Sequence, residues 1–238
     1  MGTGSITVGL ARSVASVVGV DLHAAELRPA MAYVEAESIP NVRFVAANGS
    51  ALPFPEAAFD AVLLHSVLEA AAEPIDLLRE AWRVLVPGGI VAAASVEYGG
   101  RILEGPELEL LQRFYAVREQ LWALDRLARP RAGRELRRLL HAAGFTDLDA
   151  TAHYLSYGTP EAVRSFGEAR SSECSQAWFA SRSLAHGLLS EAELRQTQEA
   201  WEHWARSPES FCAFAWCRVV GHRPLVKRSH EGPRGARI

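Results

Sequence analysis

The sequence predicts an α/β protein with a doubly wound, mostly parallel Rossmann-like sheet, an antiparallel edge strand and a helical lid insertion. Short β-branched strands alternate with amphipathic helices along the first hundred residues, and the connections between them are short enough for right-handed crossovers. The runs "FDAVLLH" and "IVAAASV" are continuously apolar, which is typical of strands buried on both faces of a parallel sheet. A glycine-flanked turn at the start of the chain leads directly into a helix.

The first half of the chain supplies the alternating elements. The run "SVVGVDL" predicts a strand, "AAELRPAMAYVEAE" a helix that Pro40 closes, and "NVRFVAA" a second strand. The proline-stiffened loop "LPFPEAA" precedes the buried strand "FDAVLLH". The helix "EPIDLLREAWRVL" carries Pro74 in its first turn and places Leu78 and Trp82 on one face. The segment "VPGG" predicts a turn before the strand "IVAAASV".

The second half predicts longer helices and two further strands. Two amphipathic helices, "GPELELLQRFYAVREQLWALDRLA" and "GRELRRLLHAAGF", come first, the second capped by Gly144. The alternating run "TDLDATAHYLSYG" predicts a strand that pairs antiparallel with the apolar run "SFCAFAWCRVVGHRP" at the sheet edge. Between them, one helix begins at Thr159 and Pro160, and another at the capping box formed by Ser190 and Glu193.

These elements predict four parts of the chain. Residues 1–158 form a cofactor-binding core, 159–210 a helical insertion or lid, 211–222 the final sheet strand, and 223–238 a disordered tail. The tail carries a basic run among glycine and proline, with Lys227, Arg228, Arg234 and Arg237.

Composition excludes several classes of protein. The 238 residues are 49% hydrophobic and 22% charged with a net charge of -3, which gives no general attraction to nucleic acid. No apolar run approaches the roughly 20 residues of a membrane helix, and no signal-peptide pattern appears. Three cysteines make neither a disulfide framework nor a zinc pattern. We therefore expect a cytoplasmic protein without a metal, without nucleic-acid or membrane partners, and with a homodimer left open.

The candidate binding site lies where the parallel strands end, because ligands of open parallel sheets bind beyond the carboxyl ends of the strands. Asp21 follows the initial turn by about 20 residues, where a carboxylate can accept hydrogen bonds from two vicinal ribose hydroxyls. Asn48 offers both a donor and an acceptor for the edge of an adenine. The alternative for Asp21 is capping of the following helix. The candidate cofactor-binding residues are Gly2, Thr3, Gly4, Asp21, Leu22, Asn48, Gly49, Ser50, His65 and Ser66.

In these segments the sequence resembles the class I S-adenosylmethionine-dependent methyltransferases, and most closely the small-molecule branch that includes quinone-biosynthesis enzymes. "GTG" resembles the end of the family's glycine-rich signature, and "VVGVDL" the strand whose terminal acid holds the ribose. The run "LPFPEAAFDAV" joined to "RVLVPGG" is the most specific likeness. The resemblance implies S-adenosylmethionine as cofactor, with Asp21 on the ribose and Leu22 beside the adenine.

Three features depart from the family pattern. The family's first strand, with its acidic residue, has no counterpart here, and we expect a start codon assigned too late or a trimmed chain. Its absence is expected to leave the strands at 17–22 and 60–65 each without a partner along one edge. Asn48 stands where an aspartate is commoner, and Ala70 follows Glu69 where many relatives carry histidine.

The resemblance implies a methyltransferase that acts on a small-molecule acceptor by direct displacement. Such a protein mainly aligns the acceptor, and a base is needed only if the acceptor must lose a proton. His65 and Tyr98 are the candidate catalytic residues, with packing beside the cofactor as the alternative for His65. Tyr98, Trp178 and Phe179 are candidates for an acceptor pocket, and Trp178, Trp201 and Trp204 are expected in the core of the lid.

Two other functions stay open at this point. A non-catalytic cofactor-binding or scaffold relative fits the missing first strand. A nicotinamide-dependent reductase is disfavoured, because Gly2-Thr3-Gly4 lacks the third glycine of the dinucleotide fingerprint and no Ser/Tyr/Lys set appears. Oxygen, nitrogen, carbon and sulfur all stay open as the atom that is methylated.

Overall fold

The computed structural model describes residues 5–125 and 129–225, which form six strands and eight helices. The strands are β1 Val17–Asp21, β2 Val42–Ala46, β3 Phe59–His65, β4 Leu85–Glu104, β5 Thr146–Tyr157 and β6 Phe211–His222. The helices are α1 Ser5–Ala11, α2 Ala24–Ala36, α3 Pro74–Val84, α4 Leu108–Asp125, α5 Ala132–Ala142, α6 Pro160–Ser175, α7 Ala180–Ala185 and α8 Glu191–Arg206. The α/β class is confirmed.

The larger sheet has the strand order β3-β4-β6-β5. Strand β3 runs parallel to β4, whereas β6 pairs antiparallel with both β4 and β5. The predicted antiparallel pairing of the last two strands is therefore confirmed. The antiparallel strand β6 lies one position in from the edge, and β5 forms the edge.

Strands β1 and β2 form a separate parallel pair, from Val17 opposite Val42 to Asp21 opposite Ala46. Within the described ranges, β1 pairs only with β2 and β3 only with β4. Contact between the two sheets is made by the loop after β2, which forms hydrogen bonds with side chains of α3. The backbone N–H of Leu52 donates to Glu80, and Arg83 donates to the carbonyl of Leu52 at 3.2 Å.

The predicted helix caps are present. Pro74 is in the first turn of α3, where its missing N–H costs no hydrogen bond. The Thr159 hydroxyl accepts from the N–H of Ala162 at the start of α6. Ser190 and Glu193 form the complete capping box of α8. Gly144 has φ +94° after α5, the left-handed conformation that glycine adopts at helix ends.

Strand β4 is longer than the sequence predicts. It begins at Leu85, directly after α3, and its register against β3 shifts between Phe59 and Ala61, so the predicted turn "VPGG" appears as an irregularity inside the strand. It also continues past Val96 to Glu104, with a second register shift against β6 between Glu97 and Ile102. Pairing with β6 on both sides of this shift keeps the strand continuous through Gly99 and Gly100.

The described residues bury two hydrophobic clusters. The first lies between the larger sheet and helices α3 and α5, and includes Leu64, Leu78, Val91, Leu136 and Val219. The second joins α4 and the three helices of the insertion to the far ends of β4 and β6, and includes Phe114, Phe179, Trp201, Trp204 and Phe214. The insertion therefore shares a core with the sheet. No helix in the described part of the chain has the length and apolar character needed to cross a membrane.

Arg223, which we expected at the start of a disordered tail, is held in the structure. Its side chain is 5% exposed, donates to the carbonyls of Trp82, Arg83 and Leu85, and pairs with Glu56 at 2.8 Å. Its guanidinium also lies 3.8 Å from the centre of the Trp82 ring. The prediction of a disordered tail is therefore wrong at Arg223. The carbonyl groups at the end of α3 have no hydrogen-bond donor within the helix, and they accept from Arg223 instead. This long-range contact leaves no pattern in the sequence. The basic residues from Lys227 onward lie outside the described residues.

Candidate functional site

Asp21 ends β1 and is half-buried. Its Oδ1 accepts a hydrogen bond from the backbone N–H of His23 at 3.0 Å. Burial by itself would raise the pKa of Asp21, but the hydrogen bonds that its carboxylate accepts and the nearby positive charges lower that pKa below the ordinary value. Asp21 is therefore an ionised acceptor at neutral pH. The bond to His23 also matches the alternative of helix capping, because His23 precedes α2.

The loop after β2 lies beside Asp21, since the N–H of Ala47 donates to the Asp21 carbonyl at 2.9 Å. Asn48 is exposed and uses its side-chain oxygen to accept from the N–H of Ser50 at 2.9 Å. Its amide N–H groups donate to no described residue. Leu22 is 61% exposed at the same end of the sheet. This end of the β1–β2 pair thus presents an apolar side chain between a carboxylate and an amide.

Gly49 has a packing role that the sequence did not predict. A Cβ at this position would lie 2.6 Å from Cδ2 of Leu77 on α3. The glycine therefore allows the loop after β2 to approach α3 closely, whether or not a ligand binds there.

His65 and Ser66 end β3 on the other sheet. The His65 ring is stacked against Trp216, with centroids 5.1 Å apart and planes tilted by 33°. It borders an open recess of about 330 Å³ on the sheet face, whose lining also includes His153 and Arg218. Ser66 is exposed and has φ 53°, which is uncommon for a residue with a side chain and recurs at ligand-binding turns.

Tyr98 lies apart from His65. His65 is paired with Ala94, so Tyr98 is four residues, or about 13 Å, further along β4. Its ring contacts those of Trp122 and Phe214, with centroids 5.2 and 5.5 Å away. The two candidate catalytic residues therefore lie at different positions along the sheet, and each remains a separate prediction.

The aromatic residues that were candidates for the acceptor pocket or the lid core differ in how deeply they are buried. Trp178 is half-buried, whereas Phe179, Trp201 and Trp204 are all fully buried in the insertion. Phe179 therefore belongs to the core and not to a pocket wall. Trp201 and Trp204 are core residues of the insertion, as expected.

Two buried polar pairs near the ends of β3 and β4 were not predicted. Ser95 is fully buried and its hydroxyl donates to Glu69 at 2.6 Å. Glu97 is 6% exposed and accepts from the N–H of Gly99 and from both the backbone and the guanidinium of Arg134. The sequence did contain an indication of these contacts, because a serine and a glutamate interrupt the otherwise apolar run "IVAAASVE".

The structure therefore groups the predicted site residues into two sets. Asp21, Leu22 and the range 48–50 lie together at the end of the β1–β2 pair, and His65 and Ser66 lie at the end of β3. Gly2, Thr3 and Gly4 lie outside the described residues, so their predicted role stays a prediction. Both sets are at carboxyl ends of parallel strands, where Rossmann-like proteins bind their ligands.

Comparison with known proteins identifies the family. The methyltransferase domain family matches residues 1–93. The chain is 30% identical over 162 residues to the demethylmenaquinone methyltransferase of Geobacillus stearothermophilus, covering 62% of this chain and 69% of that protein. It is 34% identical over 100 residues to the corresponding Lactococcus lactis enzyme, covering 41% of this chain but only 40% of that protein. The chain belongs to the class I S-adenosylmethionine-dependent methyltransferases, in the branch that resembles quinone-biosynthesis enzymes.

Two further comparisons extend along nearly the whole chain. The malonyl-[acyl-carrier protein] O-methyltransferase of Halorhodospira halophila is 29% identical over 228 residues, covering 93% of this chain and 70% of that protein. The crystal structure of YcgJ from Bacillus subtilis superposes with a TM-score of 0.60 at 19% identity, covering 94% of this chain and 88% of that one. The second similarity supports the fold alone.

Proposed function

We propose that this protein binds S-adenosylmethionine and catalyses transfer of its methyl group to a small-molecule acceptor in the cytoplasm. The observation that carries the proposal is the end of the β1–β2 pair, where an ionised carboxylate lies beside an exposed leucine and an amide. Membership of the methyltransferase family supports it, since the family implies this cofactor.

The residues present fit the adenosine part of the cofactor. A carboxylate such as that of Asp21 can accept several hydrogen bonds, and a ribose diol offers two donors. Leu22 offers an apolar surface for a flat base, and the Asn48 amide offers a donor at the edge of that base. Ionisation of Asp21 at neutral pH strengthens both hydrogen bonds to the ribose.

The bound cofactor supplies an activated methyl group, so the protein's own contribution is alignment of the acceptor. Holding two reactants in line is worth about 7–11 kcal/mol in favourable cases. The Trp216 contact restrains the His65 ring, and His65 is our proposed base if the acceptor must lose a proton. The insertion is proposed to cover the acceptor and exclude water.

The relatives suggest two acceptor classes, which an assay can separate. Two are named for demethylmenaquinone and one for O-methylation of malonyl-[acyl-carrier protein]. The first class predicts a new methyl on a ring carbon and the second a methyl ester. Mass spectrometry of products formed from both kinds of acceptor distinguishes them.

Calorimetry tests the proposed cofactor. We expect S-adenosylmethionine and S-adenosylhomocysteine to bind saturably, and NADPH to give no heat above dilution. A non-catalytic relative would bind S-adenosylhomocysteine yet methylate neither acceptor class. Saturable NADPH binding without S-adenosylhomocysteine binding would exclude a methyltransferase and favour a reductase.

A further inference from the structure

A cluster of buried charges that no predicted role explains lies where β4, α4 and helix α6 of the insertion meet. We call it the arginine cluster, and it consists of Arg101, Arg118, Arg170, Tyr115 and Glu173. Arg101 is on β4, Tyr115 and Arg118 are on α4, and Arg170 and Glu173 are on α6. The Arg101 guanidinium lies 3.6 Å from the centre of the Tyr115 ring. Tyr115 and Glu173 are 1% and 4% exposed, so the cluster lies inside the protein.

The cluster has more positive than negative charge. Glu173 lies 2.8 Å from Arg118 and 2.7 Å from Arg170, so one carboxylate serves two guanidinium groups. The other nearby carboxylate, Glu119, is 3.9 Å from Arg101. Among the described residues, three arginines therefore face two glutamates, and one positive charge is left uncompensated. An uncompensated buried charge is costly unless a partner arrives from outside the protein.

Hydrogen bonding in the cluster is also incomplete. Nine buried side-chain polar atoms in the described part of the chain make no hydrogen bond. Two of them, Arg118 Nε and Glu173 Oε1, form the ion pair described above. Three more belong to the cluster, and all three can donate: Arg101 Nη1, Tyr115 Oη and Arg170 Nε. Burial lowers the pKa of the Arg101 guanidinium, which reflects the cost of keeping this cation dry. Concentrated unpaired donors in a folded protein indicate a missing acceptor.

Aromatic residues surround the guanidinium of Arg118 in the cluster. The Arg118 guanidinium lies 4.3 Å from the ring centre of Trp122, 5.4 Å from that of Tyr98 and 5.9 Å from that of Trp178. All three rings are half-buried. Tyr98 lies on β4 beyond the end of β3, on the side where the parallel strands end. The Arg118 side chain is 12% exposed and lies among these aromatic faces.

We propose that the arginine cluster binds a carboxylate of the methyl acceptor, and that the surrounding rings hold an aromatic or unsaturated part of the same molecule. The proposal rests on the proposed methyltransferase function. One monoanion neutralises the surplus charge, whereas a phosphate dianion would leave the cluster negative. Guanidinium groups bind carboxylates through paired, charge-assisted hydrogen bonds.

Benzoate and its neutral isostere benzamide test the proposal on the full chain saturated with S-adenosylhomocysteine. Ligand-observed NMR at constant ionic strength measures the binding of each. We expect saturable benzoate binding that Arg118→Met weakens by about tenfold or more, with benzamide weak in both proteins. The matched control is Arg113→Met on the same helix, an exposed residue paired with Glu193, and it should bind benzoate like the unaltered protein.

Thermal unfolding separates a ligand site from a structural ion cluster. If the cluster awaits a ligand, Arg118→Met without ligand should unfold at the same temperature as the unaltered chain or higher, because Arg170 still pairs with Glu173 and the surplus positive charge is removed. Arg118→Lys keeps the charge and covers the case in which the methionine variant misfolds. This variant should retain weakened benzoate binding.

Absence of saturable benzoate binding, or binding that survives Arg118→Met, overturns the proposal. Equal binding of inorganic phosphate overturns the carboxylate assignment. Calorimetry with S-adenosylhomocysteine reports separately on the cofactor site.

Discussion

Asp21 shows how a single residue joins the fold to the proposed chemistry. It is the last residue of β1, its carbonyl accepts from the N–H of Ala47 in the loop after β2, and its carboxylate accepts from the N–H of His23. Sequence position predicted this placement because a strand end fixes both the location and the direction of the following side chain. The arginine cluster was not predictable, since charged residues on amphipathic helices normally face water.

Asp21→Ala tests the ribose contact. We expect it to cost about 1.5–3 kcal/mol of S-adenosylhomocysteine affinity, the range for hydrogen bonds to a charged group, measured by calorimetry at pH 7. Asp149→Ala on the exposed edge strand is the matched control and should leave the affinity unchanged. If Asp21→Ala binds normally, the carboxylate serves only to cap α2.

Glu80 gives a prediction about acid stability. Its carboxylate accepts from Arg83, which lowers the pKa of Glu80, and from the N–H of Leu52. A carboxylate with a lowered pKa stabilises the folded state above the pKa of the unfolded chain, and this contribution is lost as the pH falls through the folded value. Glu80→Gln should therefore cost about 1 kcal/mol at pH 7, and the difference should shrink below about pH 4.

Urea titrations of both proteins at pH 7 and pH 3.5 measure this effect. Equal losses at the two pH values would show that the charge of Glu80 is irrelevant. Asp76→Asn on the same helix, where the pair with Arg79 is exposed, is the control and should change little at either pH.

At the scale of elements, the insertion depends on close contact between α6 and α8. Gly167 of α6 lies against Ala205 of α8, and a Cβ at Gly167 would be 2.6 Å from the Ala205 Cβ and 3.1 Å from its backbone nitrogen. Backbone cannot move aside like a flexible side chain, so the glycine is required by helix packing.

Gly167→Ala should separate these helices and cost about 1–3 kcal/mol of unfolding free energy. Because the helices are proposed to cover the acceptor, turnover of the acceptor should fall while S-adenosylhomocysteine affinity is kept. Gly9→Ala on α1, where a Cβ meets nothing within 4 Å, should instead be neutral or slightly stabilising. Loss of cofactor affinity as steep as the loss of turnover would contradict the lid role of residues 159–210.

The extent of each element was predicted less well than its presence. The helix caps at Thr159, Ser190 and Gly144 depend on a local side chain or on the conformational freedom of glycine. The sequence predicted all three correctly. The extension of β4 to Glu104 depends on pairing with β6, more than a hundred residues later. Long-range pairing of this kind leaves no mark in a short window of sequence.

At the scale of the whole molecule, the division into two sheets predicts unequal stability. A two-stranded sheet is marginal by itself, and β1 and β2 have one hydrogen-bonded partner each in the described residues. Strands β4 and β6 each lie between two others. We expect the amides of β1 and β2 to exchange about tenfold faster or more than those of β4 and β6.

Hydrogen exchange followed by mass spectrometry measures this difference in the chain without ligand. S-adenosylhomocysteine should slow exchange at β1 and the loop after β2 more than at β5, which is also at a sheet edge. Uniform protection of both sheets would show that they unfold as one unit, and the separation of their hydrogen-bond ladders would then have no energetic effect.

The strand order has a consequence for biosynthesis. Strand β6 lies between β4 and β5, yet more than fifty residues separate the end of β5 from the start of β6 along the chain. At about 5–20 residues per second, a ribosome takes several seconds to make that stretch. During this interval β5 has left the ribosome without its partner, and the insertion lacks Phe214 from its core. The nascent protein therefore holds an unpaired strand and exposed aromatic residues, and chaperone binding to nascent chains is expected to peak between the synthesis of β5 and that of β6.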